Sequence, residues 1–405
     1  PRTVSDAQPA PRAVRPSRGR RLLVLASSWV LVVVGLRVIV LLPEVCPPVD
    51  VATVTAAADE ATGWLVRNQN DDGSFLYRYD RAAGADVGGY NIVRHGGVTM
   101  SLYQAAGHEL AGARGFAGAL AAADRGTAWG EEHLVEAGGG VALGTDRSVS
   151  TGASALWAAG LVERRSVTDD TTYDDLLADL GRFLAGSVEE DGAVSASYLP
   201  AVDDYDRGNH SIFFTGEVYW ALARLHTVFP ADGYDALAAR VEHYLATERD
   251  DAEDLFPPPG DHWAAYGMAT RYESAGSPGL PTAYVARQLR LFGPQVRYES
   301  QRTESDLTHL TRGRRTLGAG LGTLGEGLGN LWWIAADEDR DVTAERARCV
   351  AGMLVDRQVG PDDPDPAARG AWFQFDVTQM DDQQHALSAL LLTLPILHAD
   401  EGHPR

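Results

Sequence analysis

Four short stretches of this 405-residue chain crowd acids, amides, imidazoles and aromatics at points where an apolar helical pattern begins. The first is "GGYNIVRHGG" with its upstream loop: Asp71, Asp72, Tyr77 and Tyr79, then Tyr90, Asn91, Arg94 and His95. An arginine, an amide and an imidazole together neutralise a carboxylate, and a phenol carries a proton. That set is what β-elimination or epimerisation at a uronic acid needs. In the second, "DDYDRGNHSIFFTGEVYW", Asp203, Asp204, Asp206 and His210 precede Glu217, which lies between Phe214 and the pair Tyr219, Trp220. Desolvation raises a carboxyl pKa, and a carboxyl kept protonated is a general acid. The third, "GDHWAAYG", holds Asp261, His262, Trp263 and Tyr266; His262 and Tyr266 share a helix face at i, i+4, and Trp263 has a flat surface for a sugar ring. The fourth, "FQFDVTQMDDQQHALSALL", holds Asp376, Asp381, Asp382, Gln384 and His385, with Asp381 and His385 again at i, i+4.

Each cluster also has a purely structural reading. Arg94 can tie the first hairpin to a loop aspartate while His95 is a satisfied core residue. Glu217 can cap its helix or pair with an arginine across the molecule, Asp204 and Asp206 suit turns and helix starts, and the third cluster can simply fill the core. No HExxH or CxxC spacing occurs, and the Asp381/His385 pair would need further ligands from elsewhere, so no metal or cofactor is expected. The glycine-rich "GAGLGTLGEGLG" has no strand before it and reads as close helix packing or a flexible loop, and "GGGVALG" (Gly138 to Gly144) reads as a loop. Neither supports a nucleotide site.

The elements that must position these groups follow from the hydrophobic period. Helices are expected over 51–69, 92–107, 112–134, 149–162, 172–187, 210–227, 232–249, 260–273, 282–294, 318–336, 342–358 and 381–398. Amphipathic, charged helices such as "TYDDLLADLGRFLAGSV" alternate with nearly uncharged ones such as "STGASALWAAGLV", and a helix apolar all round is a buried helix. Twelve helices in strict alternation close into a ring of six hairpins, buried helices inside. The connections "NQNDDGSFLYRYD", "EEDGAVSASYLPAVDDYD" and "ARGAWFQFDVTQMDD" share a Gly turn, alternating apolar residues and then acids, which places these loops on one face.

With "QNDDGSF" before an apolar helix and "FTGEVYWALARL" before an amphipathic one, residues 51–398 resemble the α/α-toroid superfamily of six-hairpin glycosidases, toroidal polysaccharide lyases and epimerases, and terpene-cyclase relatives. The resemblance implies an all-α (α/α)6 toroid with short β-hairpin loops and a site in the funnel at the starts of the inner helices. The expected function is that of a carbohydrate-active enzyme on a surface or extracellular glycan. As a hydrolase it would use Glu217 as acid and Asp261 or Asp376 to activate water. As a lyase or epimerase it would use Tyr90 or Tyr266 as proton carrier, with Arg94, Asn91 and His95 holding the uronate. His210, His262, Trp263, Tyr266, Asp382 and His385 complete the expected binding set. Two other readings stand beside it: a toroid that binds a glycan or a protein without chemistry, and a terpenoid cyclase with Asp381 or Asp382 as proton donor.

Composition narrows the partners. There are 56 acidic against 35 basic residues, every basic one is Arg, and the net charge of −21 repels phosphate backbones, so nucleic acid is not expected. An Arg- and Pro-rich tail (1–21) precedes an apolar run, Leu22 to Leu42, with the single charge Arg37, long enough to cross a bilayer. Arg before the run predicts a cytoplasmic N-terminus and an external body, joined by a linker at 43–50; export after signal cleavage is the alternative. Residues 399–405 form a short tail. With only Cys46 and Cys349, a disulfide framework is not expected; one bridge can form, but Cys349 on an apolar helix pattern reads as a core residue.

Overall fold

The computed structural model describes residues 18–40, 42–112, 115–275, 279–316 and 318–401. The start of the Arg/Pro-rich tail, up to residue 17, lies outside them. The chain divides into residues 1–43 and 44–405. The first unit contains helix α1 (Arg18–Val40), long and apolar enough to cross a membrane, a test that a signal sequence also passes.

The second unit begins with α2 (Val51–Arg67), α3 (Ile92–Leu110), α4 (Ala119–Glu131), α5 (Thr151–Thr168), α6 (Asp174–Ser187), α7 (Phe214–Val228) and α8 (Tyr234–Thr247). It continues with the single turn α9 (Arg249–Ala252), α10 (His262–Ala275), α11 (Thr282–Ser300), the short α12 (Asp306–Arg312), α13 (Gly318–Ile334), α14 (Asp337–Arg357) and α15 (Met380–Asp400). Helices α3, α5, α7, α10, α13 and α15 each pack on the next, and α15 packs back on α3, so the six close a ring. The remaining long helices lie outside it.

Sequence explains who goes where. In α5 every residue from Thr151 to Val162 is buried, as an inner helix requires. In α6 the buried residues Leu177, Leu180, Gly181, Phe183, Leu184 and Ser187 form one stripe at i, i+3, i+4 and i+7, which is an outer helix with a solvated face. Close approach of inner helices depends on glycine: a β-carbon at Gly96 in α3 would sit 2.9 Å from the Ala153 carbonyl of α5, and one at Gly322 in α13 would overlap the backbone of His385 in α15. The glycine-rich 318–329 stretch is therefore helix packing. Two expectations are corrected. Helix α11 runs through Pro294 to Ser300 and does not stop at the proline, and "EAGGGVAL" is a hairpin of β3 (Leu134–Ala137) and β4 (Gly140–Leu143).

Short sheets fix the loops that precede inner helices. β1 (Arg78–Asp80) pairs with β2 (Ala85–Asp86) and with β8 (Val377–Gln379), which joins the loops entering α3 and α15. β6 (Ser197–Leu199) pairs with β5 (Val149–Ser150) and β7 (Asp204–Tyr205), joining those entering α5 and α7. The cysteine expectation is also corrected: Cys46 and Cys349 form a disulfide, 303 residues apart in sequence. Apolar periodicity placed Cys349 correctly on a helix, but it carries no information about the extended segment before α2 that brings Cys46 alongside.

Candidate active site

All six inner helices contribute residues from their N-terminal halves to one cavity of about 480 Å³. Its walls carry Asn91 and Arg94 from α3, Leu156 from α5, Phe214 and Glu217 from α7, and His262 and Trp263 from α10. Ala319 and Thr323 come from α13, and Asp381, Gln384 and His385 from α15. Asn91 caps α3, accepting from the Val93 and Arg94 amides. Exposed Phe213 stands at the rim.

Glu217 is 3% exposed, and its Oε2 has no hydrogen-bond partner. It packs over Gly152 of α5, where any β-carbon would overlap it. Burial, followed by the nearby charge of Asp261, pushes its carboxyl up to about 8, so at neutral pH it holds a proton. Helix α15 stands three places round the ring from α7, on the opposite wall, and presents Asp381. One oxygen of Asp381 is 3.1 Å from Arg94 Nε, and the other, Oδ1, is buried without a hydrogen-bond partner. Arg94 also donates to Tyr77 Oη at 2.6 Å and Gln379 Oε1 at 2.5 Å, so the β1–β8 sheet holds the pair in place.

Between these walls His262 and His385 approach one carboxylate, Glu326 of α13. His385 Nδ1 lies 2.7 Å and His262 Nε2 3.9 Å from its Oε2. Tyr266 donates to Oε1 at 3.3 Å and Gln384 at 3.5 Å. Burial lowers His262 to about 3 against the pull of Glu326. Burial acts in the same direction on His385, but attraction and hydrogen bonding to Glu326 outweigh it, and its net shift is upward. Beneath them Trp220 stacks on Trp263 at 5.6 Å and on Tyr266 at 4.4 Å, an aromatic floor.

The remaining expected site residues are elsewhere. His95 is completely buried and satisfied at both ring nitrogens, by Tyr90 Oη at 2.7 Å and the Gly126 carbonyl at 2.8 Å. Tyr90 in turn accepts from the Phe75 amide at 3.0 Å, so neither faces the cavity lining. Asp261 gives one oxygen to Arg249 at 2.5 Å and the other to the Ala264 amide at 2.9 Å. It anchors α10 and lies outside the cavity lining. Asp382 is likewise used up, accepting from the Ala319 and Gln379 amides at 3.1 Å each. Asp376 is exposed in a turn with φ 66° outside the cavity lining, and His210 lies 3.4 Å from Glu189 in the loop before α7. Tyr266 is sealed in the floor, 4% exposed.

No family model and no curated protein matches the chain. Solved structures do. An α-1,6-mannanase of a Salegentibacter species superposes with TM-score 0.59 at 11% identity, over 85% of this chain and 99% of that one. Cellobiose 2-epimerase from Bacillus thermoamylovorans gives 0.58 at 12%, over 85% and 98%. An unsaturated glucuronyl hydrolase specific for heparin gives 0.57 at 12%, over 87% and 98%. The chain is an (α/α)6 toroid.

Within the toroid, sequence reasoning omitted Glu326 from the site. Its signal was present: like Glu217, it is the lone carboxylate of a largely apolar inner helix, but the surrounding glycines point to packing. For Asp381 the sequence suggests a partner for His385 or a cyclase acid, and gives no sign of its place opposite Glu217.

Proposed function

We propose that the toroid is a glycoside hydrolase in which Glu217 protonates the leaving oxygen and Asp381 activates water. The observation that carries this reading is a pair of carboxyl oxygens, Glu217 Oε2 and Asp381 Oδ1, both buried without hydrogen-bond partners on opposite walls of one cavity. A protonated acid facing a carboxylate paired with arginine is the division of labour that glycoside hydrolysis requires. Opposite walls leave room for a water and favour inversion, for which the carboxyls stand about 6.5–9.5 Å apart. Phe213 and Phe214 at the rim suit stacking on sugar rings. Elimination is less well supported, because its proton carriers Tyr90 and Tyr266 lie outside the cavity lining. Two-base epimerisation needs its bases on opposite faces of one carbon, whereas the rings of His262 and His385 meet edge to face at 5.3 Å.

The placement proposed for the body is outside the membrane, tethered by α1. The Cys46–Cys349 bridge supports it, since disulfides persist in oxidising compartments.

The test is an assay of residues 44–405 on a panel of neutral and uronate-containing glycans, with product anomers followed by NMR. New reducing ends of inverted configuration, lost in Glu217→Gln and in Asp381→Asn, are expected. Unsaturated uronate products, or epimers without bond cleavage, would replace this reading. Binding without any product would favour a non-catalytic toroid.

A further inference from the structure

We propose that His262, Glu326 and His385 form a binding site for a divalent transition cation of the zinc class, opening onto the cavity. This goes beyond the hydrolase reading and is independent of it. The donor atoms of the three residues lie within 4.8 Å of one another and come from three consecutive inner helices, α10, α13 and α15.

The first argument is geometric. Tetrahedral zinc with bonds of about 2.0–2.1 Å sets its ligand atoms about 3.3 Å apart. The two distances to Glu326 Oε2, 2.7 Å from His385 and 3.9 Å from His262, straddle that value, and with all three donor atoms within 4.8 Å of one another, adjustments of about 1.5 Å or less complete the set.

The second argument is an orphaned atom. His262 Nε2 is buried, points towards Glu326 and has no hydrogen-bond partner. An imidazole nitrogen in that condition carries a desolvation penalty that a metal bond removes. His95 shows what this protein does with a histidine that is only structural: both nitrogens are occupied.

The third argument concerns the shell around the cluster. Tyr266 and Gln384 both donate to Oε1 of Glu326, leaving Oε2 to the histidines. Outer hydrogen bonds that fix a ligating carboxylate are characteristic of metal sites. Two imidazoles and one carboxylate suit zinc and its neighbours better than magnesium or calcium, which prefer oxygen alone. Three protein ligands beside a cavity leave the fourth position for water or a sugar hydroxyl.

The experiment uses residues 44–405 stripped with a chelator and titrated with Co²⁺, then Zn²⁺. One equivalent of Co²⁺ with the visible absorption of a four-coordinate site, displaced by Zn²⁺, is expected. X-ray absorption of the zinc form should show two imidazoles. Ligand removal in His262→Ala and in the conservative Glu326→Gln should weaken binding by at least about 100-fold, the upper end of what outer-shell changes alone achieve. His243→Ala, a surface histidine, should leave it unchanged. Thermal melts of the apo variants keep folding separate from binding. Absence of stoichiometric binding, a zinc spectrum without imidazole, or affinity that survives Glu326→Gln in a folded variant would each overturn the proposal. Because Glu217→Gln should abolish hydrolysis yet bind Co²⁺ normally, failure of the hydrolase reading is distinguishable from failure of this one.

Discussion

His95 and His262 look alike in sequence: each directly follows a charged residue, Arg94 or Asp261, at the start of a largely apolar inner helix. The structure separates them by satisfaction. Gly126 presents a carbonyl, which can only accept, so His95 carries its proton on Nε2 and accepts a hydrogen bond from the Tyr90 hydroxyl at Nδ1. Its ring packs between Phe75 and Trp129, with centroids at 5.3 and 4.1 Å. His262 faces a cavity with one nitrogen unpartnered, beside a carboxylate already shared. The difference teaches that polar residues at a helix entrance become candidates for chemistry only where packing leaves their valences open. Glu217 and Asp381 meet that condition, and Asp261, Asp382 and Tyr90 do not.

The sharpest way to break this contrast is Glu217→Gln. Loss of a general acid should lower kcat by about 10³-fold, within the usual 10²–10⁴ range, while the melting temperature holds or rises because an unpartnered buried acid is removed. In the wild type, activity should fall as pH rises through about 8, where Glu217 loses its proton. Stability has a matching signature. The folded pKa lies above the ordinary glutamate value of 4.5, so the stabilisation is complete below 4.5 and is lost as pH climbs through about 8. That loss is on the order of 5 kcal/mol at 1.36 kcal/mol per pH unit. Urea midpoints of wild type and Glu217→Gln should therefore diverge between pH 5 and 8.5. Parallel curves would mean that Glu217 is ionised, and the proposed acid would be lost.

The other side of the contrast is tested by His95→Ala. Removing a fully buried ring leaves a cavity and orphans the Gly126 carbonyl and the Tyr90 hydroxyl, so a loss of about 3 kcal/mol is expected by chemical denaturation. Turnover per folded molecule should be unchanged. A pH term accompanies it: burial lowers His95 to about 4, so its contribution is present above 6.5 and lost as pH falls through about 4. Turnover that collapses while stability holds would restore His95 to the site.

How much of this was legible depends on which physics the sequence encodes. Alternation of stripes and fully apolar helices fixed twelve helices and their inner or outer place, because burial is written in hydrophobic period. The polar starts of α3, α7, α10 and α15 were found for the same reason: charge interrupts an apolar pattern there. What period cannot encode is pairing across the ring. Arg249 claims Asp261 from a single-turn helix that no periodicity announces, and two backbone amides claim Asp382. Glu326 reaches its histidines only because α13 and α15 approach through Gly322, a tertiary fact. The disulfide is of the same kind.

Tyr90→Phe is the mildest test, and it discriminates because the two roles for that hydroxyl predict different observables. In the structure the oxygen accepts from the Phe75 amide at 3.0 Å and donates to His95 Nδ1 at 2.7 Å, while the ring lies 5.1 Å from Trp129. Phenylalanine keeps the ring and deletes both bonds, leaving a buried amide and an imidazole nitrogen short of partners. A loss of about 1–2 kcal/mol follows, smaller than for His95→Ala because no cavity of ring size opens. Burial also pushes the phenol pKa up, which makes deprotonation harder and argues against proton abstraction by a tyrosinate. With hydrolysis carried by Glu217 and Asp381, kcat should stay within about twofold at a temperature where the variant is folded, a small fraction of the 10²-fold minimum for a lost general acid or base. A fall of 10²-fold or more with an unchanged melting temperature would move the chemistry back to α3.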